Sequence, residues 1–137
     1  MIIRYGDKNF ERQVEKFERE TIKKVKRVVA ETAEIAVSQM KTLAPVSTID
    51  GGNLKNSIDV TYAKGGLTAI VNSGANYSLF IEFGTGIYSK EGNGRKTPWV
   101  YFDKKLNRYV FTRGIKPMPF FYPSLEIAFK HFVKEMK

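Results

Sequence analysis

Apolar residues recur at intervals of mostly three and four along the first part of the chain. They are Phe10, Val14, Phe17, Ile22, Val25, Val28 or Val29, Ala33, Ala36, Met40 and Leu43. This spacing predicts one amphipathic helix from about Asn9 to Leu43, which Asp7 or Asn9 can cap and which ends before Pro45. At about 1.5 Å per residue, such a helix spans roughly 50 Å. Because a small core does not require that length, we expect the helix to bend or to bury part of its stripe against another subunit.

Short alternating segments predict two β-hairpins. Ile58–Tyr62 and Leu67–Asn72 flank the turn Lys64-Gly65-Gly66 and form the first hairpin. Trp99–Phe102 and Arg108–Thr112 form the second hairpin around a charged turn. The alternation predicts that each hairpin presents one face to a core.

The remaining segments predict a short helix, a loop and a closing helix. Tyr77–Phe83 favours a short helix over a strand, although its length leaves both open. Residues 84–98 are glycine-rich and basic, which is typical of a long mobile loop. Pro123 suits the first turn of a helix that runs to about Met136. The fold class predicted is α+β: a long N-terminal helix on a small antiparallel sheet of two β-hairpins, with a short middle helix and a C-terminal helix, in one domain over residues 1–137.

Composition places the chain among soluble globular proteins. Of 137 residues, 42% are hydrophobic and 27% charged, which is ordinary for such proteins. The absence of cysteine excludes a disulfide framework and thiolate chemistry. The N-terminus lacks the apolar stretch of a signal peptide, and no apolar run approaches the roughly 20 residues that span a bilayer. We therefore expect a soluble protein made in the cytoplasm.

The net charge of +9 is concentrated in the last third of the chain. Residues 90–137 hold eleven Lys/Arg against four Asp/Glu, whereas residues 46–89 hold two against three. A concentrated positive field attracts phosphate backbones or acidic protein surfaces, and a solvated basic loop is the equal alternative. The candidate DNA or partner contacts in this block are Lys90, Arg95, Lys96, Lys104, Lys105 and Arg108.

Aromatic residues alternate with charges in the second hairpin. They are Trp99, Tyr101, Phe102, Tyr109 and Phe111. Aromatic side chains beside Lys and Arg can stack on single-stranded nucleic acid. The interpretation we favour is that alternate aromatics form the core-facing side of the hairpin, with the basic residues at its tip.

The sequence offers no convincing catalytic, metal or cofactor site. His131 is the only histidine and is expected to face solvent, so the usual zinc ligand sets are excluded. Glu82, Asp59 and Asp50 are the carboxylates weighed as a cation cluster, but their neighbours do not suggest a shared pocket. Gly84-Thr85-Gly86 lacks the spacing of a dinucleotide or phosphate-binding loop. We expect no enzyme activity and no cofactor.

Three segments resemble hallmarks of a phage protein family. Ala44–Val46 with Gly52–Ile58 is similar to the pattern "aP…tGnLrnSI", and Tyr77–Thr85 is similar to "YA.fvEfGT". Pro119–Leu125 is similar to "qPFl.PAl". In this order, after a long first helix, they resemble the small head–tail joining, neck or tail-completion proteins of tailed siphophages and prophages.

The chain also departs from that pattern. Ser47-Thr48-Ile49 lengthens the loop before Gly52, and residues 86–116 form a large variable insertion. Ser78 and Ser124 stand where alanine is usual. The resemblance therefore says least about the basic block.

The resemblance implies a non-enzymatic virion component that assembles as a ring of identical copies between head and tail. Its implied partners are neighbouring copies, phage head-connector proteins and tail proteins, with non-specific DNA contact in the ring lumen. It implies a structural corner formed by Tyr77, Phe80, Glu82, Phe83, Gly84 and Thr85. A structural turn is implied at Gly52, Asn53 and Leu54, and a subunit interface at Pro119, Phe120, Phe121, Tyr122 and Pro123.

In the corner, Phe80 and Phe83 are expected to anchor in the core, and Glu82 to hold a backbone amide or a basic residue. The alternative function is a small basic nucleic-acid-binding protein or toxin-like ribonuclease, for which no general acid and base are evident.

Overall fold

The long helix extends well beyond the core that it helps to form. In a computed structural model, which describes residues 8–46, 52–90, 92, 94–104 and 106–137, helix α1 runs Lys8–Leu43. Its second half contributes the buried residues Val28, Ala33, Ala36, Val37 and Met40. Every residue from Lys8 to Lys24 is exposed. The predicted helix is confirmed, and its first half carries its apolar stripe in solvent; Asp7, one of the two predicted caps, lies outside the described residues.

The first hairpin packs on the second half of α1. Strand β1 (Ile58–Ala63) pairs antiparallel with β2 (Thr68–Ser73), from Ile58 opposite Ser73 to Ala63 opposite Thr68. The connection is the predicted Lys64–Gly66 turn, a single 3₁₀ turn. A short helix, α2 (Asn53–Asn56), precedes β1. Leu54 and Ile58, both 2% exposed, fill the space beside Met40.

The closing helix completes the core along α1. Helix α4 (Phe121–Met136) begins two residues before Pro123, which lies in its first turn as predicted. Phe120 is 1% exposed and belongs to the same core cluster as Met40 and Ala128. Farther along, His131 Nε2 lies 3.4 Å from Glu31 Oε2 on α1. The expectation that His131 simply faces solvent is therefore wrong, because α4 lies against α1 at this point.

The second hairpin forms a sheet of its own. Strand β3 (Trp99–Asp103) pairs antiparallel with β4 (Arg108–Thr112), placing Val100 opposite Phe111 and Phe102 opposite Tyr109. These four side chains are 46–74% exposed. We call this surface, Val100, Phe102, Tyr109 and Phe111, the hairpin face. The expectation that the alternate aromatics face the core is wrong for it, because among the described elements β3 and β4 pack chiefly on each other.

The structure confirms the predicted fold class. The described residues form a long N-terminal helix, two small antiparallel sheets, a short helix α3 (Ser78–Phe83) and a C-terminal helix, an α+β arrangement. Part of the predicted loop over 84–98 is structured, since Gly86–Tyr88 form a 3₁₀ turn and Ile87 N donates to Arg113 O at 3.2 Å. Its mobility stays a prediction. Within the described residues, no helix combines the length and apolar character needed to cross a membrane.

We expect truncation of the two halves of α1 to have unequal effects on stability. Met40→Ala removes a fully buried side chain and should lower the free energy of unfolding by about 2–5 kcal/mol. Phe17→Ala, at a position 71% exposed, is the control and should change it by less than about 0.5 kcal/mol in dilute solution. Urea unfolding followed by circular dichroism measures both. Equal losses would contradict the placement of the core.

Candidate functional site

A buried carboxylate at the end of α3 holds the start of α4. Glu82 is 4% exposed. Its Oε2 accepts hydrogen bonds from the backbone N–H groups of Phe120 at 2.8 Å and Phe121 at 2.9 Å. Its Oε1 accepts a third from Tyr122 N at 3.1 Å. A single side chain thus binds three consecutive amides that lie 38–40 residues farther along the chain.

These amides need a partner from outside their own helix. The first N–H groups of a helix have no intrahelical acceptor, and Phe120, the N-cap residue of α4, has no side-chain cap of its own. The Glu82 carboxylate supplies the acceptors, and its negative charge is favourable at the positive end of the helix dipole. Burial of this charge is therefore compensated by backbone groups. Glu82 acts as a capping residue for a helix remote in sequence.

The turn after Glu82 is fixed by further backbone contacts. Met118 N donates to Ile81 O at 2.8 Å, and Thr85 N donates to Ile115 O at 2.9 Å. In return, Ile115 N donates to Thr85 Oγ1 at 2.9 Å. The extended segment that leads into α4 therefore runs alongside the corner and is bonded to it on both sides of Glu82.

Gly84 is required at this corner for two separate reasons. Its φ of +79° lies in the region that residues with a Cβ rarely adopt. A Cβ built there would also lie 2.8 Å from Ile115 O and 2.9 Å from Tyr88 O, which is closer than real Cβ contacts. The backbone approach that bonds Thr85 to Ile115 thus depends on glycine at position 84.

The predicted turn at Gly52 meets the same corner. Gly52 adopts a φ of +87° before α2, and Asn53 Nδ2 donates to the hydroxyl of Tyr77 at 3.2 Å. Leu54 is buried in the core below. The three segments that resemble family hallmarks are therefore connected in space: Asn53 of the first bonds the second, and Glu82 of the second binds the third.

Two of the predicted site residues are placed differently from the expectation. Phe80 is 56% exposed, so it does not anchor the corner in the core; its backbone carbonyl contributes instead, by accepting a bond from Gly84 N at 2.8 Å. Phe120 is fully buried in the core and cannot be part of a surface interface. In the predicted interface segment, Pro119 and Tyr122 are the exposed residues, and the Tyr122 ring lies 5.8 Å from that of Phe83.

An open apolar groove lies beside the corner. Leu79 and Phe80 of α3 line it on one side, and Trp99 and Tyr101 of β3 line it on the other. Leu79 is 68% exposed, more than any other apolar residue of the corner. Sequence reasoning missed Leu79 as a surface residue. Its position gave no such signal, since an apolar residue three positions before a buried residue is expected on the same face of a helix.

The candidate basic contacts are exposed but occupy three separate segments. Lys90, Arg95 and Lys96 lie between the corner and β3, with the Arg95 guanidinium 5.4 Å from the Trp99 ring centre and Lys96 Nζ donating to Gly92 O. Lys104 follows β3 at the hairpin tip, and Arg108 begins β4. Lys105 lies outside the described residues.

Neither a metal site nor a catalytic arrangement is evident among the described residues. They contain no group of three or more His, Cys, Asp or Glu side chains suited to a metal ion. Asp50, the third carboxylate of the weighed cluster, lies outside them. The pKa of Glu31 lies below its usual value: desolvation raises it, but hydrogen bonds from Arg27 and His131 more than offset that effect. The contact between Glu31 and His131 joins α1 to α4, and it gives the His131 side chain a hydrogen-bond partner.

Comparison with known families assigns the chain. A family model described as "Bacteriophage HK97-gp10, putative tail-component" matches residues 8–84, more than half of the chain. The chain belongs to the HK97-gp10-like family. It is a phage tail-component-like structural protein, as its three hallmark segments predicted. No curated protein and no solved structure matches it.

The family match ends within the corner itself. It includes the Gly52 turn, Glu82 and Gly84, and it stops before the basic block and α4. The amides that Glu82 binds, from Phe120 to Tyr122, therefore lie outside the matched span. In this HK97-gp10-like chain, the Glu82 carboxylate is one of the contacts that join the matched part to the remainder, together with the bond between Met118 N and Ile81 O and the shared core.

We expect Glu82→Ala to destabilise the protein by about 3 kcal/mol, because three amides at a buried helix start lose their acceptor. Glu82→Gln keeps one oxygen acceptor and should lose less. Glu126→Ala, an exposed carboxylate on α4, is the matched control and should change stability by less than about 0.5 kcal/mol. Thermal and urea unfolding measure all three. A Glu82→Ala variant as stable as Glu126→Ala would refute the capping role.

We expect Gly84→Ala to destabilise the protein by about 2 kcal/mol, because both φ and the contact with Ile115 O oppose a Cβ. Gly74→Ala is the control, since its φ is not in the left-handed region and its Cβ would be at least 3.6 Å from any neighbour. The comparison uses melting temperatures from circular dichroism. Equal melting temperatures of the two variants would show that the corner tolerates a side chain.

Proposed function

We propose that this chain is a head–tail joining subunit of a tailed phage or prophage, acting in the neck or at the tail-completion position. In this role, identical copies assemble into a ring, and residues 1–137 act as one connector-like domain. Membership of the HK97-gp10-like family, described as tail components, supports the structural class. The position at the junction and the ring are the parts that the proposal adds.

The observation that carries the proposal is the exposed first half of α1. Phe10, Val14 and Phe17 are 55%, 48% and 71% exposed on a helix stretch whose every residue from Lys8 to Lys24 faces solvent. An apolar stripe on a helix is normally buried against a partner surface. An exposed apolar stripe is expected in a subunit that completes its packing only in an assembly, whereas it is not expected in a monomeric enzyme.

Other surfaces suit the remaining contacts of such a subunit. The groove between Phe80 and Trp99 offers an open apolar surface to a head-connector or tail protein. The exposed cations Lys90, Arg95 and Lys96 suit non-specific contact with DNA phosphates in the lumen of the ring. The loop over 86–98 would become ordered on contact with the next ring in the stack. The protein would then be located in the virion.

The proposal is tested by removing the protein from the phage or prophage that encodes it. With a stop codon early in the gene, we expect DNA-filled heads and separate tails to accumulate in lysates, as seen by electron microscopy. Purified wild-type chain added to the lysate should restore joined, infectious particles.

Complete virions formed without the protein would contradict the proposal. So would lysates that contain neither tails nor filled heads, because a joining protein acts after both are built. Cleavage of RNA by the purified chain, with steep salt dependence, would instead favour the ribonuclease alternative.

A further inference from the structure

Two apolar surfaces of this chain lie outside its core, one on helix α1 and one on the β3–β4 hairpin. One is the α1 stripe, formed by Val14 and Phe17. The other is the hairpin face defined above, where Phe102 and Tyr109 stack edge to face with ring centres 5.3 Å apart. The two surfaces belong to different segments, one within the family match and one outside it.

Both elements have little stability of their own without packing against another element. A helix stretch of this length is marginal in water without tertiary packing, and an isolated two-stranded hairpin is marginal as well. Each would be stabilised by covering its apolar side chains. A contact between them would cover both apolar surfaces at once, whereas a contact between two α1 stripes would leave the hairpin face exposed.

The charges that border the two surfaces are complementary. Glu11 and Glu18 lie one helical turn before and after Val14, so they form an acidic edge along the α1 stripe. Lys104 and Arg108 lie at the tip of the hairpin, where Asp103 is opposite Arg108 in the strand register, so the described tip residues keep a net positive charge. Opposite charges at the rim of an apolar contact favour one partner and one orientation.

We propose that the hairpin face of one copy packs across the α1 stripe of the next copy. The inference rests on the proposed ring and names the two surfaces that build it. Because one surface meets a different one, each added copy presents both surfaces again, and the chain of contacts ends only when it closes on itself. The contact would bring the basic hairpin tip beside the acidic edge of α1.

The absence of cysteine in the natural chain allows a clean cross-linking test. Phe17→Cys and Tyr109→Cys are purified separately, mixed, and treated with a bismaleimide of short reach. We expect a covalent dimer in the mixture and little in either variant alone. Two controls move each position away from the proposed contact: Arg19→Cys, on the opposite side of α1, replaces Phe17→Cys, and Lys55→Cys, an exposed position on α2, replaces Tyr109→Cys. The two control positions are polar, and all four positions are exposed.

The mixture of Phe17→Cys with Tyr109→Cys should give about tenfold more dimer than either control mixture, since a held pair has a high effective concentration. Dimer from Phe17→Cys alone would show a contact between two helices and overturn the inference. Equal yields in the control mixtures would overturn it too. An oligomer seen by light scattering without the expected cross-link would refute these surfaces while leaving the proposed ring in place.

A chain that stays monomeric at every concentration and gives no cross-link would also overturn the inference. The head–tail joining role would then be decided by the phage experiment alone. If Tyr109→Ser instead abolished binding to single-stranded DNA by the monomer, the hairpin face would be a nucleic-acid surface and the inference would be wrong.

Discussion

The architecture depends on one carboxylate that caps a distant helix. Glu82 binds the amides of Phe120, Phe121 and Tyr122, and this bonding fixes where α4 begins. Once α4 begins there, Phe120 enters the core beside Met40 and α4 lies along the second half of α1. The interaction also explains why a charged residue stands in an apolar segment: its partners are backbone groups, so no side chain elsewhere in the sequence reveals them.

The described residues form a packed body and two apolar surfaces that lie outside it. Among the described residues, the core is built from the second half of α1, the short helix α2, the first hairpin, and α4 with Phe120 before it. The first half of α1 and the second hairpin remain outside it, with apolar side chains in solvent. Under the proposed function, such surfaces are sites of contact with other subunits. The energy that stabilises these two elements is then gained on assembly.

Local patterns predicted most elements because the causes are local. Helix α1 follows from spacing of three and four, the turn at Lys64–Gly66 from glycine, and the start of α4 from Pro123. Placement of side chains depended on contacts that spacing does not encode. Phe80 and Phe120 look alike in sequence, yet Phe80 faces solvent and Phe120 fills the core. The second segment is held against the corner by bonds to Glu82 and to the carbonyl of Ile81, which no local pattern encodes. The exposure of the hairpin face was missed for the same reason. Alternation predicts that a hairpin has two faces, but it does not predict whether either face packs against a core.

Amide hydrogen exchange at low and high protein concentration tests the central claim most directly, namely that Glu82 organises a stable body while α1 and the second hairpin complete their packing on assembly. The account predicts slow exchange at Phe120, Phe121 and Tyr122 under both conditions. It predicts fast exchange along residues 8–24 and the β3–β4 hairpin in dilute solution, and protection of both at high concentration. Fast exchange at Phe120–Tyr122 in the dilute protein, or no change along residues 8–24 when the protein assembles, would contradict it.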